Sequence, residues 1–387
     1  MKRILAVVTI LVAALSAWYF FNIPTEYDLD KVEITLDDDS YEKLDNFRLE
    51  ALDKGYLERS EDDYVPAQVS YNGVNSAGKV RLKGDWTDHL NDEKWSFRIK
   101  LDNPLDDGLQ VFSIQNPQAR GFLNSYVFHK LLKEESVLSN EFRIVEAVVN
   151  GESWGVYCLE EHLTDRLYTS QGRNKGVIYK FNDQEFFYKS IDEEPIEGLI
   201  KSAKIKAYGS FKKNDSYKGL VKEGKSILKK YQKQKGNPYS KFNPELTGKY
   251  YAVCDLATAY HAMGWINIRF FYDFGTELME PIGYDGYPEL TWGKPYLGKH
   301  APHYEADPFE TQMVIYSALK DSAINQNYFD ALERISSEDY VQSFMDKYEP
   351  EIRLLEKEIQ KEYSDYNFDY DMLFSRATEI RDALMER

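Results

Sequence analysis

The sequence predicts an α+β fold, strand-patterned through its first half and helical towards its end. Three observations carry that reading. Val80 and Leu82 alternate with Arg81 and Lys83, and Trp95, Phe97, Ile99 and Leu101 alternate with Ser96, Arg98 and Lys100, the period of two that sends successive side chains to opposite faces of a strand. Residues 142–149 and 154–161 flank Asn150-Gly151, a turn pair that favours a two-residue hairpin. Near the end, Ile352, Leu355, Ile359 and Tyr363 recur at spacings of three and four, the mark of an amphipathic packing helix. A chain of 387 residues has the material for two lobes.

In chain order, residues 1–21 read as a membrane anchor or signal peptide. Lys2 and Arg3 precede a mainly apolar run of eighteen residues, 4–21, just long enough to span a bilayer. Ala14-Leu15-Ser16 offers cleavage-like spacing, but Trp18, Tyr19, Phe20 and Phe21 suit a membrane interface and favour an uncleaved anchor. Positive charge before the run, and Glu26, Asp28 and Asp30 after it, place the bulk of the chain outside the cytoplasm, in the periplasm or at the cell surface. Residues 22–31 form a linker.

Residues 32–185 make a β-rich N-terminal lobe. It includes a helix over 121–135 with Phe122, Leu123, Tyr126, Val127 and Leu131 on one stripe. Residues 186–250 read as a helical, lysine-rich segment, with Lys229, Lys230 and Lys233 on a solvated face and Gly236-Asn237-Pro238 as a stop. A helix over 246–263 leads into the strands of residues 251–300. The first, half-buried, begins near Asn267 and breaks at Gly275; the second covers 278–284 and ends at Asp285. Residues 301–387 are helical.

Composition excludes several classes. Lys+Arg 48 against Asp+Glu 65 leaves a net charge of -17, which argues against a nucleic-acid binder. Two cysteines, Cys158 and Cys254, exclude a disulfide framework and a cysteine-rich metal site. The chain has no P-loop, nucleophile elbow or Rossmann fingerprint. Its 30 tyrosines fit a core, and some of them a sugar or nucleotide cleft.

Asn267 at one strand start and Asp285 at the neighbouring strand's end bring two oxygen ligands together, as kinases do to hold magnesium against ATP phosphates. A hairpin whose Asn and Asp serve turns is the equal alternative. Lys83, Arg98 and Lys100 form a basic strand face that grips phosphate or simply faces solvent. Glu160 and Glu161 end the hairpin strand, where either pairs with a phosphate-binding lysine or lies on the surface. Asp85, Asp88 and His89 in the loop GDWTDHLND read as an acid–base or metal-binding group or as a turn. His300, His303, Glu305 and Asp307 resemble a metal cluster only weakly.

Together, KVRLKGDWTDHLNDEKWSFRIKL, NGESWGVYCLEEH, GVIYKF and WINIRFFYD with MEPIGYDG resemble, in order and composition, the CotH-like family of spore-coat protein kinases, over residues 80–287. The resemblance implies an atypical kinase-like, two-lobed domain that uses ATP and Mg²⁺ or Mn²⁺ to phosphorylate a protein or envelope-polymer acceptor. It implies Lys83, Lys94, Arg98, Lys100, Glu160, Glu161 and Lys180 near the nucleotide, and Asn267 and Asp285 at the metal and the chemistry. Kinases place the catalytic aspartate five positions before the metal-binding asparagine, and here that position is Ala262, with Asp255 on the preceding helix. GYDGY also stands where the family has a "WDLD"-like turn. A non-catalytic, pseudokinase-like envelope or coat protein is therefore the alternative, and a carbohydrate-active enzyme using Asp85 and Asp285 a weaker one.

Overall fold

In the computed structural model, the described residues are 27–90, 94–182, 202–233, 236–288 and 318–386. The apolar run at residues 4–21 and the histidines at 300 and 303 lie outside them. Among the described residues, no helix is long and apolar enough to cross a membrane.

Seven strands close into a barrel in the order β1, β2, β3, β4, β5, β8, β7. They are β1 (Asp30–Thr35), β2 (Val65–Tyr71), β3 (Val74–Leu82), β4 (Phe97–Leu101), β5 (Val111–Gln115), β7 (Phe142–Val149) and β8 (Glu152–Glu161). The alternation read from β3 and β4 is the reason for closure. Val80, Leu82, Phe97 and Ile99 fill the interior at no more than 3% exposure, and the basic residues take the outer face. At the predicted turn, Asn150 and Gly151 both take positive φ, 51° and 83°, as a primed turn requires. The Asn150 side chain also accepts from the Leu36 amide at 2.7 Å, pinning the end of β1. A parallel pairing of β1 with β7 closes the barrel, so the stretch read as a linker ends in a strand at Asp30.

A second sheet runs β10 (Ile205–Tyr208), β9 (Gly176–Phe181), β11 (Arg269–Asp273), β12 (Leu278–Gly283) and β6 (Leu138–Ser139). β10 lies in the segment expected to be helical, whose described residues also hold the helix Lys218–Lys233 and the start of the helix Pro244–Leu256. There Ile227, Leu228 and Tyr231 are buried, while Lys229, Lys230 and Lys233 are exposed. β11 begins two residues after Asn267 and is buried at every position, not half-buried as expected. It is central in its sheet and covered on both faces: Phe270 packs into the helical core and Phe271 stacks on Tyr168 at 4.6 Å.

Helix α1 (Asp38–Lys54) covers the barrel, and α2 (Leu123–Glu134) sits within the range expected for it. The C-terminal part packs Ser322–Ile335, Glu338–Gln360 and Met372–Met385 around Pro244–Leu256, with Ile352, Leu355 and Ile359 inward as their spacing demands. Two contacts tie this end to the barrel. Lys94 pairs with Glu362 at 2.6 Å while donating to the Val156 carbonyl at 2.8 Å, and Phe122 stacks on Tyr366 at 4.4 Å. Both cysteines are free and buried.

Candidate functional site

The outer face of β3 and β4, the end of β8, the β9–β10 edge and the turn after β12 enclose a cleft of about 740 Å³. Its lining carries nine lysines and arginines against four carboxylates, although the chain as a whole is at -17. Such a concentration of one sign against low-dielectric walls focuses the field on an anionic ligand.

The floor is built on Arg120, in the short turn before α2. Its Nη2 donates to Glu160 Oε1 at 2.7 Å, and its Nη1 lies 2.6 Å from Asp285 Oδ1. Gln115 donates to the other oxygen of Glu160 at 3.0 Å. Burial works against charge here, but Arg120 and then Lys83 overcome it at Glu160, and Arg120 and then His261 overcome it at Asp285. Both carboxyls are held below their usual range, Asp285 far below. Asp285 has a φ of 56°, a left-handed backbone uncommon outside glycine and more tolerable for Asp than for most residues. The next residue must be small, because a Cβ on Gly286 would come within 2.2 Å of the Phe128 ring. His261 Nε2 lies 3.6 Å from Asp285 Oδ2. The Asn267 amide nitrogen donates to the His261 carbonyl at 3.1 Å. Asn267, His261 and Asp285 all line the cleft.

The opposite wall is cationic. Lys83 is 5% exposed, and burial, followed by Arg120 and Arg98, lowers its pKa to about 7. Arg98 is 6% exposed with no hydrogen-bond partner for Nε or Nη1, and burial followed by Arg81 lowers it to about 10. Unpaired buried guanidinium nitrogens are costly and mark a place for an oxyanion. Arg269 lies over Tyr284, 4.4 Å from the ring centroid, and donates to the Ile266 carbonyl at 2.6 Å.

Of the residues expected from sequence, Lys83, Arg98, Lys100, Lys180, Asn267 and Asp285 line this one cleft, as do Asp85 and Asp88. Glu160 lies behind the lining and takes Arg120 as its partner, not a lysine. Strand alternation turns Glu161 to the other side of β8. There it pairs with Arg166 at 2.9 Å and accepts from the Glu141 amide at 3.1 Å, so it does not orient a phosphate-binding lysine. Lys94 belongs to the Glu362 tie. Asp85 pairs with Arg59. Asp255 is buried among Tyr260, Tyr328 and Arg376, and Ala262 is buried too. His89 also lines the cleft and is buried against Ser96. Sequence reasoning missed Arg120 and Arg269. The available signal was basic charge beside the site: Arg269 lies two residues after Asn267, in the strand read from that position.

Residues 80–246 match the family model described as CotH kinase protein. Among solved structures, the Helicobacter pylori proinflammatory kinase CtkA is similar at 11% identity, over 74% of this chain and 90% of that one. At a TM-score of 0.27 the two share too little geometry for one to inform the other. No curated protein matches in sequence. The basic strands, the Glu160 hairpin and the strand carrying Lys180 all fall inside the family match, and over that segment, less than half of its length, the chain is similar to CotH kinase proteins.

Proposed function

We propose that the cleft binds a nucleoside triphosphate with a divalent cation and transfers its terminal phosphoryl group to a protein or envelope-polymer acceptor, in an atypical kinase-like, two-lobed domain. The observation that carries this reading is the pairing of a buried cationic wall, Lys83 and Arg98, with a carboxylate, Asp285, held ionised on the floor by Arg120. Phosphoryl transfer depends mainly on positioning and charge stabilisation, which is what such an arrangement supplies.

Lys83 and Arg98 would hold phosphate oxygens. Glu160 keeps Arg120 in place, and Arg120 keeps Asp285 anionic. Asp285 and the Asn267 carboxamide oxygen would hold Mg²⁺ or Mn²⁺. The donors fit: the amide nitrogen of Asn267 is committed to the His261 carbonyl, which leaves its oxygen for a cation. Among the described residues no cluster of three or more His, Cys, Asp or Glu could hold a metal alone. That suits magnesium, which takes one or two protein carboxylates and completes its shell with phosphate and water. When bound, the cation would neutralise developing phosphate charge. Incubation with γ-labelled ATP, each metal and candidate acceptors tests the proposal. Metal-dependent transfer of label, lost in Asp285→Ala, is expected, and absence of transfer with every acceptor and metal counts against catalysis.

A second reading, a non-catalytic binding protein using the same cleft, is favoured by one specific observation. The position five before Asn267 is a buried alanine, and Asp255 is locked among Tyr260, Tyr328 and Arg376. The apolar run at residues 4–21 supports membrane anchoring with the domain outside the cytoplasm.

Lys83 makes nucleotide binding pH-dependent. Its folded pKa of about 7 lies below the ordinary 10.5, so above pH 7 the free protein holds this side chain neutral. A phosphate favours the charged form, and binding therefore takes up a proton. Affinity should fall as pH rises through 7, by up to about tenfold per unit. Lys83→Arg, charged throughout, should flatten that slope in a series of binding titrations between pH 6 and 9. A wild-type affinity constant across the series would remove Lys83 from the phosphate site.

A further inference from the structure

The cationic wall continues outward past the point a nucleotide needs. Cross-strand register sets Lys79 opposite Lys100 and Arg81 opposite Arg98, two like-charge pairs of the kind that destabilise a sheet. All four side chains share the outer face of the barrel with Lys83. Alternate residues on a strand are about 6.7 Å apart, so Lys79, Arg81 and Lys83 form a row roughly 13 Å long.

Tyr64, just before β2, lies beneath three of these cations. Lys79 Nζ, Arg81 Cζ and Lys100 Nζ stand 4.9, 5.3 and 4.3 Å from its ring centroid. The ring eases their mutual repulsion but carries no charge to cancel theirs. Glu61 pairs with Lys100 at 2.7 Å, yet its side chain is 75% exposed, and such pairs are weak and easily exchanged. On this face, Arg81 lacks a partner for Nε, and its buried cross-strand neighbour Arg98 lacks partners for Nε and Nη1.

We propose that this outer row, Lys79, Arg81 and Lys100 over Tyr64, receives an extended acidic peptide segment of the acceptor, delivering a neighbouring hydroxyl to the inner site. The assignment of this segment to an acceptor rests on the phosphotransfer reading. An extended peptide repeats its side chains on one face at the same spacing of about 6.7 Å, so two acidic residues at alternate positions meet the Lys79–Lys100 pair and then Arg81. Direct cation–carboxylate contacts would replace the like-charge repulsion and the loose Glu61 pair.

The test is fluorescence anisotropy of the full chain with labelled peptides of alternating glutamate and serine, or alternating lysine and serine, with and without saturating ATP and Mg²⁺. Lys79→Glu is the diagnostic variant, because Lys79 is exposed and lies outside the cleft lining. The glutamate peptide should bind at low salt with ATP and Mg²⁺ present, weaken as salt rises, and lose about tenfold in affinity in Lys79→Glu. The thermal shift of that variant with ATP and Mg²⁺ should equal the wild type's. Equal binding of the two peptides, full displacement of the glutamate peptide by ATP and Mg²⁺, or indifference to Lys79→Glu would overturn the proposal. Glutamate-peptide binding that meets these criteria, in a protein that ATP and Mg²⁺ do not stabilise, would uphold the acidic subsite while removing the phosphotransfer reading.

Discussion

Replacing Arg120 with methionine is expected to lower the unfolding free energy by about 3–5 kcal/mol, the usual consequence of breaking a buried ion pair from one side. Arg120 is 3% exposed and stands between Glu160 and Asp285. Methionine fills much of its volume but leaves two buried carboxylates without their countercharge. The deficit should depend on pH with a defined sign. Glu160 and Asp285 both have folded pKa values below their ordinary 4.5 and 3.8, so the stability they contribute is fully present above about pH 5 and is lost as pH falls through their folded values. The gap between wild type and Arg120→Met should therefore be widest near neutrality and narrow in acid, where the variant's carboxyls protonate. Denaturant unfolding at neutral and acidic pH checks this. A gap that is unchanged across that range would mean that Arg120 acts through packing alone.

How much of this could be read beforehand follows from what kind of information each feature needs. The barrel interior was legible because strand alternation is local: Val80, Leu82, Phe97 and Ile99 declare their side of the sheet within a few residues. The hairpin was legible because Asn150-Gly151 has few other uses. Asn267 and Asp285 could be named as neighbours because β11 and β12 are consecutive antiparallel strands, with Arg269 opposite Ile282.

What failed to show is non-local. Arg98 looks like any outward strand residue until the fold buries it in the cleft wall. β11 looks half-buried because its alternation does not reveal that the sheet is covered on both faces. β10 is only four residues long, too short for the alternation of Ile205 and Ala207 with Lys206 to mark a strand, and takes its strand form from pairing with β9. Arg120 sits in an irregular turn forty residues before Glu160 and far from Asp285, and no periodicity connects the three. Glu160 and Glu161 are adjacent in sequence, and only the barrel decides which of them faces the floor.

Asp285→Asn separates chemistry from architecture. Asparagine keeps the shape and a carbonyl oxygen, and Arg120 retains Glu160. The expected cost is about 1.5–3 kcal/mol, as for a lost hydrogen bond to a charged group, so the variant should fold. It should nevertheless lose the metal-dependent part of nucleotide binding altogether, because a neutral amide is a far poorer magnesium ligand than a carboxylate. Circular dichroism and the variant's own unfolding midpoint establish the first point. Its response to ATP with and without Mg²⁺ establishes the second. A folded Asp285→Asn protein that binds the metal nucleotide as the wild type does would take Asp285 out of the metal site.

The most direct measurement is thermal unfolding of the wild-type protein alone, with Mg²⁺ or Mn²⁺, with ATP, and with ATP and metal together. A ligand at a hundredfold excess over its dissociation constant stabilises the native state by about 2.7 kcal/mol. A rise in midpoint that requires ATP and metal together is the result expected of a cleft with Lys83 and Arg98 on one wall and Asp285 and Asn267 on the other. An unchanged midpoint at saturating ATP with either metal would contradict a nucleotide site and leave the cleft as a binding surface for other anions.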